Sequence, residues 1–146
     1  MNYTVDASVF VSAARDDEEN HRTSLRFLRM LEARGAAVVC PTLVIPECSA
    51  AIARPTGDPE LAAELVNLIV TFPGLQLVPL SAELATAASK MACQHRLRGA
   101  DAVYAAVAAD VQSILVTWDH EMLERCPSAI RTITPGQALR MRRRAP

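Results

Sequence analysis

The chain has 146 residues, 51% of them apolar, and a formal net charge of −1. That is too apolar for a disordered chain and long enough for one domain with a real core. No run of 18 or more apolar residues occurs, so no membrane-spanning helix is expected.

Asn2 to Val5 is a short apolar run closed by Asp6. With no basic residue ahead of it, the stretch MNYTVDASVF is read as a first strand and not as a signal peptide, which predicts a cytoplasmic protein. A helix follows over Ala7 to Ala14, and the acidic cluster Asp16 to Glu19 makes a loop. From about His21 to Ala33, Leu25, Leu28 and Leu31 recur among arginines as the apolar face of an amphipathic helix, with Gly35 as its C-cap. Ala37 to Cys40 is a second strand, stopped by Pro41, and a helix then runs through Glu47 to about Ala53.

Asp58-Pro59-Glu60 starts another helix, with Asp at the N-cap, Pro at the first helical position and an acid in the first turn. It ends before Phe72-Pro73-Gly74. Leu75 to Val78 is a third strand, and Ser81 caps an alanine-rich helix to about His95. Gly99 opens a helix over Ala100 to Ala109, almost wholly alanine and valine. Ser113 to Thr117 is the strongest strand, followed by a short helix after Asp119 and a last strand at Arg131 to Ile133. Thr134-Pro135 then begins a terminal helix ending in Arg142-Arg143-Arg144. Short β-branched strands alternating with helices argue for an α/β domain whose parallel sheet is covered on both faces.

Cys40, Cys48, Cys93 and Cys126 form no C-x-x-C pair and are read as buried small hydrophobes. The three histidines lack ligand spacing; His120 draws notice only because it follows Asp119. Fourteen arginines stand against one lysine, Lys90. Arginine suits phosphate recognition, but a GC-rich genome produces the same bias.

Ligands of open parallel sheets bind beyond the carboxyl ends of the strands. Asp6 closes the first strand and Asp119 lies two residues past the strong one, so the sheet brings both to one edge. Glu47 and Asp101 lie near helix starts, where a carboxylate is favoured by roughly 0.3–1 kcal/mol, so either also reads as an ordinary first-turn acid. Asp101 is the only charge between Gly99 and Asp110. A buried acid needs a partner, no cation lies within that helix, and a metal ion would supply the counter-charge. Converging carboxylates repel one another, which predicts at least one raised pKa and selects a hard ion such as Mg²⁺ or Mn²⁺.

These residues resemble those of a known family. Val5-Asp6-Ala7-Ser8-Val9-Phe10, Pro46-Glu47-Cys48, Leu97 to Ala106 around Asp101, and Leu115-Val116-Thr117-Trp118-Asp119 are similar, in order, to the four acidic motifs of the PIN-domain ribonucleases, and within them of the VapC-type toxins of bacterial toxin–antitoxin pairs. Arg54-Pro55-Thr56-Gly57-Asp58 is similar to a segment common after the second motif. The resemblance implies one PIN-like domain over residues 1–146, a three-layer α/β/α sandwich with a basic tail at about 140–146. It implies Mg²⁺- or Mn²⁺-dependent hydrolysis of RNA, with Asp6, Asp101 and Asp119 as metal ligands and Glu47 binding metal or orienting water. It also implies a small antitoxin partner and a homodimer. Ser8 and Thr117 would hold the acids by hydrogen bonds, although cap and strand-end hydroxyls are common there too. Arg140, Arg142, Arg143 and Arg144 form a basic tail that would contact RNA phosphates or an acidic stretch of the antitoxin, or else be a solvated terminus.

Other α/β readings lack parts. A phosphoacceptor receiver needs a positioned lysine, and Lys90 lies in a predicted helix. A haloacid-dehalogenase-like phosphatase wants an acid two residues after Asp6, where Ser8 stands. A dinucleotide site needs a glycine-rich turn, and the five glycines are isolated. The non-enzymatic alternative is a PIN-like fold retained as an RNA- or protein-binding module.

Overall fold

The computed structural model describes residues 1–141. Five parallel strands, β1 (Tyr3–Val5), β2 (Val38–Pro41), β3 (Leu75–Val78), β4 (Ile114–Val116) and β5 (Thr132–Ile133), lie in the order β3-β2-β1-β4-β5. β1, β2 and β4 are buried at every position, as strands covered on both faces must be. The helices are α1 (Ala7–Ala14), α2 (His21–Ala33), α3 (Val44–Thr56), α4 (Pro59–Val70), α5 (Ala82–His95), α6 (Gly99–Asp110), α7 (His120–Arg125) and α8 (Pro135–Arg140). α1 packs against α2, α3 and α4, and α8 joins α2; α5 packs on α6, which crosses β1, β2 and β4. The result is a single α/β domain with a helical layer on each face of the sheet. None of its helices among the described residues is long and apolar enough to cross a membrane.

Local chemistry sets the helix ends. The Asp58 carboxylate accepts from the Glu60 and Leu61 N–H groups, Ser81 Oγ accepts from Leu84 N–H, and Thr134 forms a reciprocal capping box with Gln137. α2 ends at Ala33 with Arg34 at the C-cap, one residue before the Gly35 expected there; the Gly35 N–H reaches the Glu32 carbonyl, and its φ of +57° turns the chain so that the Ala36 N–H reaches Leu31. α6 is nearly all alanine and valine, and it is buried from Asp101 to Ala108. Small side chains let it lie close against the strands.

Several boundaries and faces differ from the sequence reading. Pro41 does not stop β2 but closes it, opposite Val78. On the β3 side the Thr42 N–H continues the ladder to the Val78 carbonyl. On the β1 side Pro41 would be the next donor to the Val5 carbonyl, and the Cys40 thiol donates there instead at 3.3 Å. α3 runs three residues past Ala53, carrying Pro55 in its last turn until Gly57 ends it at φ +64°. The buried face of α2 is Ser24, Phe27 and Leu31, with Leu25 and Leu28 half-buried. Ser24 is tolerated because its hydroxyl pairs with Ser12 Oγ and accepts from the Trp118 indole N–H, both at 2.7 Å. Cys40 and Cys48 are buried, but Cys93 is exposed and Cys126 half-buried. α8 stops at Arg140, and Arg142, Arg143 and Arg144 lie outside the described residues.

Candidate active site

The strand order runs outward from β1 to β2 and β3, then returns to β4 on the other side of β1. That reversal opens a crevice beyond the carboxyl ends of β1 and β4. Val5 pairs with Val116, so the next residues, Asp6 and Thr117, emerge side by side, with the Asp6 N–H on the Val116 carbonyl. Asp6 occupies the N-cap position of α1, yet its carboxylate caps nothing. Its Oδ2 accepts instead from Ser8 Oγ at 2.6 Å and Thr117 Oγ1 at 2.8 Å. Each hydroxyl in turn accepts a backbone N–H, Ser8 from Trp118 and Thr117 from Asp119. An incoming donor on each hydroxyl directs its own proton to Asp6 and leaves Asp6 Oδ1 free of either hydroxyl.

Asp119 is the N-cap of α7, with Oδ1 accepting from the Met122 N–H at 3.0 Å, while its Oδ2 accepts from Arg98 Nη2. Arg98 Nε donates to Asp101 Oδ2 at 3.0 Å and lies 3.7 Å from Glu121 Oε2. Asp101, Asp119 and Glu121 offer carboxylate oxygens within 4.8 Å of one another. Here the sequence reading needs correction. Asp101 does have a cationic partner, placed just outside its helix at the N-cap of α6. The i,i+3 spacing brings Arg98 back over the first turn. Glu121 was also missed, since a first-turn acid on a short helix looks like any other.

Glu47, from the first turn of α3, enters the same crevice. Its Oε1 is buried without a hydrogen-bond partner among the described residues, as is the Tyr104 hydroxyl. That hydroxyl is near enough to favour the charged carboxylate but makes no well-formed bond to it. Asp6, Glu47, Asp101 and Asp119 thus line one open cavity of about 500 Å³ with Ser8 and Trp118. Asp6 and Glu47 stand outside the tight trio that Arg98 gathers.

Burial is the main cause that raises the pKa of Asp6, Glu47 and Asp101 above the ordinary carboxylate range. The hydroxyls of Ser8 and Thr117 oppose it at Asp6, Tyr104 at Glu47 and Arg98 at Asp101. Neighbouring acids raise all three further. The thiol of Cys40 is pushed up to about 12 by burial and stays protonated. A divalent cation fits these residues: the donors are all carboxylate oxygens, which suit a hard ion, and Glu47 Oε1 is a buried oxygen with nothing to accept from.

The family pattern of the PIN domain matches residues 3–126. Among solved structures, the chain is similar to VapC20 of Mycobacterium tuberculosis, a toxin that cleaves the sarcin–ricin loop (18% identity, TM-score 0.72, 88% of this chain and 98% of that one). It is similar as well to PAE2754 from Pyrobaculum aerophilum (20%, 0.70, 97% and 88%). A toxin–antitoxin complex from Klebsiella pneumoniae also matches (14%, 0.64, 91% and 97%). No curated protein matches by sequence. Identities this low establish a shared fold.

Proposed function

The chain belongs to the PIN-domain family, and from that membership and the acidic crevice we propose that it is a Mg²⁺- or Mn²⁺-dependent endoribonuclease, the toxin of a toxin–antitoxin pair. The observation that carries the reading is convergence. Four acids from four separate segments, Asp6, Glu47, Asp101 and Asp119, line one cavity at the reversal point of the sheet. Ordinary caps and first-turn acids have no reason to meet there.

In this reading Asp6, Asp101 and Asp119 hold the metal, which when bound supplies a water of lowered pKa and positive charge beside the scissile phosphate. Ser8 and Thr117 fix the Asp6 carboxylate through Oδ2, which leaves Oδ1 unclaimed by either hydroxyl. Glu47, made more basic than an ordinary glutamate by burial, accepts the proton of the attacking water. The half-buried indole of Trp118 walls the crevice beside Asp119.

The toxin role is supported by the likeness in fold to the Mycobacterium and Klebsiella proteins. It brings with it a small antitoxin partner, a homodimer and a cytoplasmic location as parts of the same proposal. Purified Asp101→Asn and Asp6→Asn should lose Mn²⁺-dependent cleavage of RNA. Glu47→Gln should fall by about a hundredfold or more, as loss of a general base does. Wild-type turnover in Asp101→Asn would refute the assignment and return the chain to a non-catalytic binding module. Co-expression with the product of an adjacent short reading frame tests the partner. Rescue of growth and a stable co-purifying complex are expected; growth arrest unaffected by any neighbour removes the toxin role.

A further inference from the structure

Arg98 stands at the N-cap position of α6 with its side chain 63% exposed, yet its guanidinium bonds to the acids. It draws on Oδ2 of both Asp101 and Asp119, two of the acids to which the proposed function gives the metal. A divalent ion needs carboxylate oxygens at about 2.0–2.6 Å. A guanidinium bound to the same oxygens would then sit within a few ångströms of it, like charge against like charge in a crevice. The two cations therefore cannot both hold Asp101 and Asp119 at full strength. A second acceptor for the arginine is already in place. Glu121 Oε2 lies 3.7 Å from Arg98 Nε, and Glu121 is steadied by Arg125, which itself donates to the Arg96 carbonyl at 3.0 Å.

We propose that Arg98 is a resident counter-cation that competes with the divalent metal for Asp101 and Asp119, so that loading the site exchanges one cation for the other. Arg98 then retreats toward Glu121 and solvent, and its largely exposed side chain leaves it free to do so. The inference rests on the metal reading of the crevice. It makes Arg98 a residue that weakens metal affinity while holding the acids together before loading.

Trp118 is the only tryptophan in the chain and lines the same cavity. Quenching of its emission by paramagnetic Mn²⁺ reports binding without any need for turnover. Arg98→Gln should bind Mn²⁺ about tenfold more tightly than wild type, because a competing charge has gone. It should also melt at a lower temperature in chelator, where the acids lose their counter-charge. Arg98→Lys keeps the charge but not the two-pronged contact. Its affinity should fall between the two, and it serves if Arg98→Gln does not fold. If wild type titrates with Mn²⁺ and neither variant binds more tightly, the exchange is wrong and the metal reading survives. If wild type does not titrate at all, both fall.

Discussion

Thr117 shows how much one hydroxyl controls. It donates to Asp6 Oδ2 at 2.8 Å and accepts from the Asp119 N–H at 2.9 Å, so it ties the first acid to the turn that carries the fourth. Thr117→Val keeps the shape and removes both bonds at a fully buried position. Leaving buried polar groups unpaired costs about 1–3 kcal/mol each. Urea unfolding should therefore show a loss of about 2–3 kcal/mol, with the slope unchanged. Asp6 would also lose a donor that favours its charged form, so its pKa rises further and Mn²⁺ binding at neutral pH weakens by about tenfold or more. Thr117→Ser should restore most of both. A valine variant with wild-type stability and affinity would make the hydroxyl an ordinary strand-end group. At this scale the acids were legible because each falls at a strand end or helix start that the topology sends to one edge. Arg98 was not, because its contact with Asp119, twenty-one residues on, exists only once β4 has folded back along α6, although the contact with Asp101 is a local i,i+3 pair.

Among the elements, the starts of α4, α5 and α8 could be read from Asp58-Pro59, Ser81 and Thr134-Pro135, where side chain and backbone bond locally. Features set by distant partners were less accessible. The place of Pro41 inside β2 depends on a thiol and a neighbouring strand. The buried face of α2 includes Ser24 only because Ser12 and Trp118 satisfy its hydroxyl. The turn into β3 gives a sharper test. Gly74 has φ +79°, its carbonyl accepts from Val38 N–H, and a Cβ there would stand 2.7 Å from the Ala36 carbonyl oxygen. The obstacle is backbone and cannot swing away. Gly74→Ala should thus cost about 2–4 kcal/mol in thermal or urea unfolding, combining left-handed strain with a fixed clash. Gly99, at the start of α6, has open space where a Cβ would stand and no left-handed φ. Gly99→Ala should instead gain about 0.5 kcal/mol through the unfolded state. Equal effects at the two sites would contradict this account of the β2–β3 connection.

For the whole molecule, the strand order β3-β2-β1-β4-β5 decides that buried acids collect at one edge, and the electrostatics of that edge should govern stability. Asp6, Glu47 and Asp101 have folded-state pKa values raised above their unfolded values, chiefly by burial. A raised acid holds its proton longer in the folded state. Its contribution to stability is therefore full below the ordinary carboxylate range, near pH 4, and is lost as pH rises through the folded values. In chelator the melting temperature should accordingly fall as pH rises from about 4 toward neutrality, where the three acids ionise against their burial. Mn²⁺ should reverse the loss. At a hundredfold excess over its dissociation constant it contributes about 2.7 kcal/mol, or roughly 5–10 °C for a domain of this size. The benefit should vanish at low pH, where the ligands are protonated. Repulsion among the converging carboxylates, taken from the sequence alone, predicts that Asp101→Asn or Asp119→Asn raises the midpoint of the metal-free protein. The contacts rank them instead. Glu47→Gln removes a charge from a buried oxygen that has no partner, so it should raise the midpoint in chelator at neutral pH. Asp119→Asn removes the charge that Arg98 holds, and should give no such gain. Asp101→Asn should fall between them, because relief of a buried charge is set against the loss of its bond to Arg98. Asp101→Asn and Asp119→Asn, which each take away a proposed ligand, should lose most of the Mn²⁺ increment, whereas Glu47→Gln should keep most of it. A chelated wild type whose midpoint is flat with pH and indifferent to Mn²⁺ would mean that these carboxylates serve only as structural hydrogen-bond acceptors, because a site built to hold a cation must be strained without one.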